Sequence, residues 1–155
     1  MVLADGSRVV VPDAATPAAV PPSALDEGAP RSGPNPPYRA EKPTALGSFV
    51  HARSGDKGGD ANLGLWVTHD DPAVYPARMA WLLGFVTEER VRALVPEAAE
   101  LDLDIVPLPE LGGVNVVLHG LLGLGVAAST RFDPQAKGLG EWVRSRVVPI
   151  PEDLL

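Results

Sequence analysis

The sequence predicts an α+β fold: a ferredoxin-like two-layer sandwich in which helices cover one face of a mostly antiparallel sheet. Three observations lead there. Strand-like and helix-like segments interleave from Leu46 onward. "LDLDIVP" at 101–107 alternates apolar and acidic residues, as a half-exposed strand does. Two segments open on proline or capping chemistry and read as short helices.

The elements follow in order. Leu46–Arg53 and Leu63–His69 read as strands on either side of a glycine-rich core. Asp71-Pro72 and Pro76 give helix-start chemistry for residues 73–83, with Gly84 as the stop. Thr87 caps a second helix, 88–95, which Pro96 ends. Residues 112–126, "GGVNVVLHGLLGLGV", fit strand and helix equally. A strand at 126–132 is expected next, then a helix capped by Asp133, opened by Pro134 and running to about Arg146, then a short segment Val147–Ile150. Trp66, Trp81 and Trp142 fall at apolar positions and are expected in the core.

The first 45 residues differ. They hold nine of the 17 prolines and few bulky apolar side chains, so burial cannot offset the entropy of ordering them. Asp5-Gly6, between Val2-Leu3 and Val9-Val10-Val11, reads as a small hairpin. Residues 14–45 read as a partly polyproline linker. Two parts are therefore expected: 1–45, hairpin and linker, and 46–155, the α+β domain.

Composition bounds the function. With 45% hydrophobic and 21% charged residues, most of the chain has the makings of a packed core. A net charge of −7 argues against nucleic-acid and membrane-surface partners, so an anion would need a local pocket of donors. The absence of cysteine excludes disulfides and thiolate chemistry. With no signal-like segment and no apolar run of membrane-spanning length, a cytoplasmic protein is the expectation.

The segment "RSGDKGGDAN", 53–62, concentrates the chemistry. Gly55, Gly58 and Gly59 permit close backbone approach, and successive amides in such a turn can cradle an anion. Arg53 and Lys57 add charge, while Ser54 and Asn62 add neutral donors. Asp56 and Asp60 could hold those cations, bridge to Mg²⁺, or supply a general base. Neither the P-loop nor the dinucleotide-binding spacing is present. Spacing alone leaves a solvated turn, an anion site and a metal site all open.

A second constellation is Asn115 and His119, four apart and thus on one face of either a strand or a helix. The pair reads as a satisfied structural histidine, or as an acid–base group oriented by Asn115. No ligand spacing links His51, His69 and His119 into a metal site, and none is expected. Ser54 lacks a nucleophile-elbow context.

Taken together, "HARSGDKGGDANLGLWV", "YP" at 75–76, "VTEERV" at 86–91, "NVVLHG" at 115–120 and "GLGVAASTRFDPQAKGLG" at 123–140 resemble the C-terminal domain of the acyclic terpene utilisation (AtuA-like) family, collinearly over about residues 46–147. The resemblance implies a ferredoxin-like fold. It also implies a large domain that normally precedes this one and a setting in acyl-CoA catabolism of branched or terpenoid acids. It assigns no catalytic residues and no cofactor. What carries over is the motif: Arg53, Ser54, Gly55, Asp56, Lys57, Gly58 and Asn62, with Asn115, His119 and Gly120.

The expected function is an accessory domain or small subunit that binds an anionic, acyl-CoA-like ligand through those residues. It would complete the site of a separately encoded large subunit or of its own homo-oligomer. The alternatives are a purely structural interaction subunit, and a stand-alone CoA-thioester hydratase or hydrolase with Asp56 or His119 as base.

Overall fold

The computed structural model describes residues 40–155. The expected hairpin near the start and the linker through residue 39 lie outside the described residues.

Six strands and three α-helices follow one another: β1 (Glu41–Ala45), β2 (Val50–Lys57), β3 (Asp60–Val67), α1 (Tyr75–Phe85), α2 (Glu88–Leu94), β4 (Leu103–Leu108), β5 (Gly113–Leu118), α3 (Leu139–Arg144) and β6 (Val147–Pro151). A four-stranded sheet has the order β2-β3-β5-β4, and β1 pairs with β6 in a second, two-stranded sheet. All pairings are antiparallel. Since β3 and β4 both pair with β5, they run parallel to each other with β5 between them, joined through α1 and α2. This is the split βαβ arrangement of a two-layer, ferredoxin-like α+β sandwich.

Alternation builds the sheet. Ala61, Leu63, Leu65 and Val67 of β3 and Val114, Val116 and Leu118 of β5 are buried on one face. Against that face α1 packs on β3 and β5, and α3 on β2 and β3. Trp81 and Phe85 of α1 stack at 4.6 Å between centroids, and Phe49 meets Trp81 edge-on at 5.5 Å. Among the described residues no helix covers the opposite face.

Several elements depart from the sequence reading. The glycine-rich core is not a long loop. β2 and β3 run through it with paired residues up to Lys57↔Asp60, and only Gly58 and Gly59 turn. Gly58 has φ 67, the left-handed first position that a two-residue type II′ hairpin needs. Residues 41–45, expected as linker, form β1, where Pro43 and Pro149 face each other in a sheet made only of edges. The first helix continues through Gly84 because Phe85 gains a buried place against Trp81, which outweighs about 1 kcal/mol of glycine penalty. Thr87 caps α2 as expected, accepting from the Arg90 amide at 3.3 Å.

Residues 113–118 resolve as a central strand. The expected strand at 126–132 is absent, because Gly123 (φ 60) and Gly125 (φ 87) turn the chain and Phe132 stands fully exposed. The last helix is short. Asp133 accepts from the amides of Lys137 and Gly138 at 2.8 Å each, and Ala136 sits at φ 50, a left-handed residue that interrupts a right-handed helix. Trp81 is in the core, but Trp142 is 51% exposed and Trp66 lies half-buried on the open face, stacked with His51.

Candidate functional site

The hairpin β2–β3 sorts the motif residues onto two faces of the sheet. Ala52, Ser54 and Asp56 alternate onto the helix side, while His51, Arg53, Gly55 and Lys57 point the other way. Across the hairpin, Gly55 is opposite Asn62, so Asn62 shares the open face.

On the helix side Ser54 and Asp56 are engaged locally. Ser54 Oγ accepts from the Gly140 amide at 2.8 Å, and Gly140 approaches Ala52 so closely that an added Cβ would stand 3.2 Å from the Ala52 Cβ. Ser54 therefore fastens α3 onto β2. Asp56 Oδ1 is 3.6 Å from Lys137 Nζ. Lys137 reaches round the edge of β2, because its ammonium also lies 2.9 Å from where a Cβ on Gly55 would sit.

On the open face this leaves a notch. Among the described residues nothing but the Lys137 ammonium lies within 4 Å of that missing Gly55 Cβ. Arg53 and Lys57 flank the glycine two residues to each side, about 13 Å apart by strand rise and long enough to lean over it. Both are exposed, and neither takes part in an ion pair among the described residues. The Lys137 ammonium thus borders a position without a side chain, on a face that also carries Arg53 and Lys57, with Asn62 opposite.

Asn62 is itself fixed. Its Nδ2 donates to Asn115 Oδ1 at 2.9 Å, joining β3 to β5. The sequence pattern paired Asn115 with His119, but in the fold Asn115 serves Asn62 and two carboxylates orient His119. With the ring doubly protonated, Nε2 donates to Asp104 Oδ2 at 2.9 Å and Nδ1 to Asp60 Oδ2 at 3.2 Å. Asp60 also accepts from the Gly120 amide at 2.7 Å. The hydrogen bonds from Asp104 and then Asp60 raise the His119 pKa above 6.5. The Gly120 amide first, and His119 after it, hold the Asp60 carboxyl below its usual 3.8.

The clasp is a cross-strand ion cluster. The carboxylates bond opposite edges of the ring, so their donors do not converge on one point. Among the described residues no group of His, Asp and Glu side chains is placed to hold a metal ion.

Sequence reasoning singled out Arg53, Ser54, Gly55, Asp56, Lys57, Gly58, Asn62, Asn115 and His119. The fold brings Arg53, Gly55, Lys57, Asn62, Asn115 and His119 to one face, and turns Ser54 and Asp56 away from it. Asp56 and His119, each weighed as a base, lie on opposite faces. Lys137 was missed, and only its place in the "DPQAKGLG" string marked it. Asp104 was legible as the polar side of an alternating strand, but pairing it with His119 required the strand order.

With this geometry in place, the family can be assigned. The family profile described as the AtuA ferredoxin-like domain matches residues 44–149. The chain belongs to that family. No curated protein and no solved structure matches it. The match to the AtuA ferredoxin-like domain takes in the whole four-stranded sheet, the glycine notch, the His119 clasp and α3. Among the described residues no helix is long and apolar enough to cross a membrane.

Proposed function

We propose that this AtuA ferredoxin-like domain is an accessory module that holds an anionic group at the Gly55 notch and presents it to a larger partner. The observation that carries the reading is the missing side chain at Gly55, with the Lys137 ammonium at its edge and Asn62 opposite. Arg53 and Lys57 supply flanking charge, as phosphate and carboxylate recognition requires. In an otherwise acidic protein this is a local concentration of donors.

The open face supports the second half of the reading. Beyond the notch, Val106, Leu108 and Leu111 are 47, 37 and 68% exposed. Leu108 and Leu111, with Trp66 and Gly113, border a shallow groove of about 190 Å³. An apolar strip beside a polar cluster on an uncovered sheet is what a docking surface looks like. A flat face desolvates a bound anion only when something closes over it. In this reading the partner is a separately encoded AtuA-like large subunit, and the anion is the phosphates or carboxylate of an acyl-CoA.

In this reading His119 is a brace whose protonated form the Asp104 and Asp60 carboxylates favour, and it becomes a proton donor only when the exposed Asp104 yields its place to a ligand. Asp56 steers Lys137. Calorimetric titration of acetyl-CoA into the purified chain tests the ligand, with Arg53→Ala, Lys57→Ala and Lys137→Ala as variants. Binding that weakens in each variant and with added salt supports the proposal, and affinities equal to the parent's overturn it. Co-purification with the large subunit, lost on Leu108→Asp, tests the docking face. Co-purification without any acyl-CoA affinity would favour a purely structural subunit.

A further inference from the structure

A separate cavity lies on the helix side. It has a volume of about 650 Å³, within the range of small-molecule sites. Leu121, Ala136 and Leu139, all buried, form its floor, and the fully exposed Phe132 and half-exposed Trp142 stand at its rim. Arg131 lines it too, with Nη2 on Glu97 Oε1 at 3.0 Å. Its Nε is buried and has no acceptor among the described residues.

A guanidinium N–H shut away from water without an acceptor is unfavourable by about 1–3 kcal/mol, so such donors are ordinarily satisfied. Here the positive charge is already matched by Glu97. What is missing is a hydrogen-bond acceptor and not a counter-ion. Asp133, the other carboxylate on the wall, is occupied by the Lys137 and Gly138 amides and adds negative charge. Walls of this kind disfavour a carboxylate and suit an uncharged oxygen. Nε is enclosed while the Arg131 side chain as a whole is only partly buried, so the guanidinium must turn toward the cavity to meet that oxygen.

We propose that this cavity binds a neutral, largely apolar molecule bearing a carbonyl-type acceptor, an ester, amide or ketone, with its apolar body between Phe132 and Trp142 and its oxygen on Arg131 Nε. The site is independent of the Gly55 notch, which selects negative charge.

The probe is Prodan, a neutral naphthyl ketone whose emission shifts to the blue in apolar surroundings. It is titrated into the full chain, the Arg131→Lys variant and the Phe132→Ala variant. Arg131→Lys keeps the charge beside Glu97 and removes Nε–H, and Phe132→Ala alters a side chain that supports nothing in the fold. The expected result is saturable one-to-one binding, weakened about tenfold or more in each variant. No saturable binding, unchanged affinity in either folded variant, or tighter binding of the anionic anilinonaphthalene sulfonate than of Prodan would each overturn the proposal.

Discussion

The Lys137 ammonium occupies the space that a side chain on Gly55 would need, 2.9 Å from the absent Cβ, while remaining 3.6 Å from Asp56 Oδ1. An 82-residue separation in sequence, Gly55 to Lys137, thus closes into one cationic notch at the edge of β2. Gly55→Ala should fold normally, because the added methyl meets only the tip of a flexible lysine. It should nevertheless displace that tip and weaken anion binding severalfold. Thermal unfolding and acetyl-CoA titration of the same variant check both halves.

His119 makes stability depend on pH in a defined direction. Its folded pKa lies above 6.5, so its contribution is complete below that value and is lost as pH rises through the folded pKa. The Asp60 carboxyl lies below 3.8, so its contribution is present above that value and is lost as pH falls through the folded pKa. The clasp is therefore strongest between the two. Urea midpoints of the parent and of His119→Gln should differ most near pH 5.5 and converge at strongly alkaline pH. A gap that widened with rising pH would contradict the assignment.

Asn62 and Asn115 are predicted to be energetically coupled. A double-mutant cycle of Asn62→Ala and Asn115→Ala should give an interaction energy of about 0.5–1.5 kcal/mol, the range for a partly buried neutral hydrogen bond. Coupling near zero would mean that the two amides pair with water instead.

The two glycines of the hairpin turn should respond differently to alanine. Gly58 has open space but φ 67, so Gly58→Ala should lose roughly 1 kcal/mol of stability to left-handed strain. At Gly59 a Cβ would run into the Gly123 carbonyl, where the backbone also donates from Leu122 N to Gly59 O at 2.8 Å. Gly59→Ala should lose about 1–3 kcal/mol, as overpacking does. Denaturant melts of both variants decide the order.

How much of this was legible depends on which residues carry the signal. β4 could be read because Leu103 and Ile105 alternate with Asp102 and Asp104, and most of β3 because Leu63, Leu65, Trp66 and Val67 are strand-like apolar residues beside the glycine-rich core. β2 was cut short at Arg53 because Ser54, Gly55, Asp56 and Lys57 look like a turn. They hold a strand only because β3 pairs along their full length and α3 fastens Ser54 from behind. The last helix was overextended because proline and Asp133 mimic a helix start. The Asp133 side chain instead closes a turn on Lys137 and Gly138.

The site was legible in part for the same reason. Residue types offered an anion site beside a solvated turn and a metal site, but face assignment needed the strand register. Only register puts Asn62 opposite Gly55, Asp60 beside His119, and Asp56 on the other side of the sheet. Trp142 misled because its helix, though flanked by buried Leu139 and Val143, leaves that position at the surface, with Arg146 over the ring at 4.1 Å.

The central claim, an anion held at the Gly55 notch, is tested most directly by mapping backbone amide shifts in an NMR titration with coenzyme A. The account predicts saturable shifts centred on Arg53 to Lys57, Asn62 and Lys137, abolished in a Lys57→Ala, Lys137→Ala double variant. Saturation with shifts confined to other parts of the chain, or no shifts at all at millimolar ligand, would contradict it.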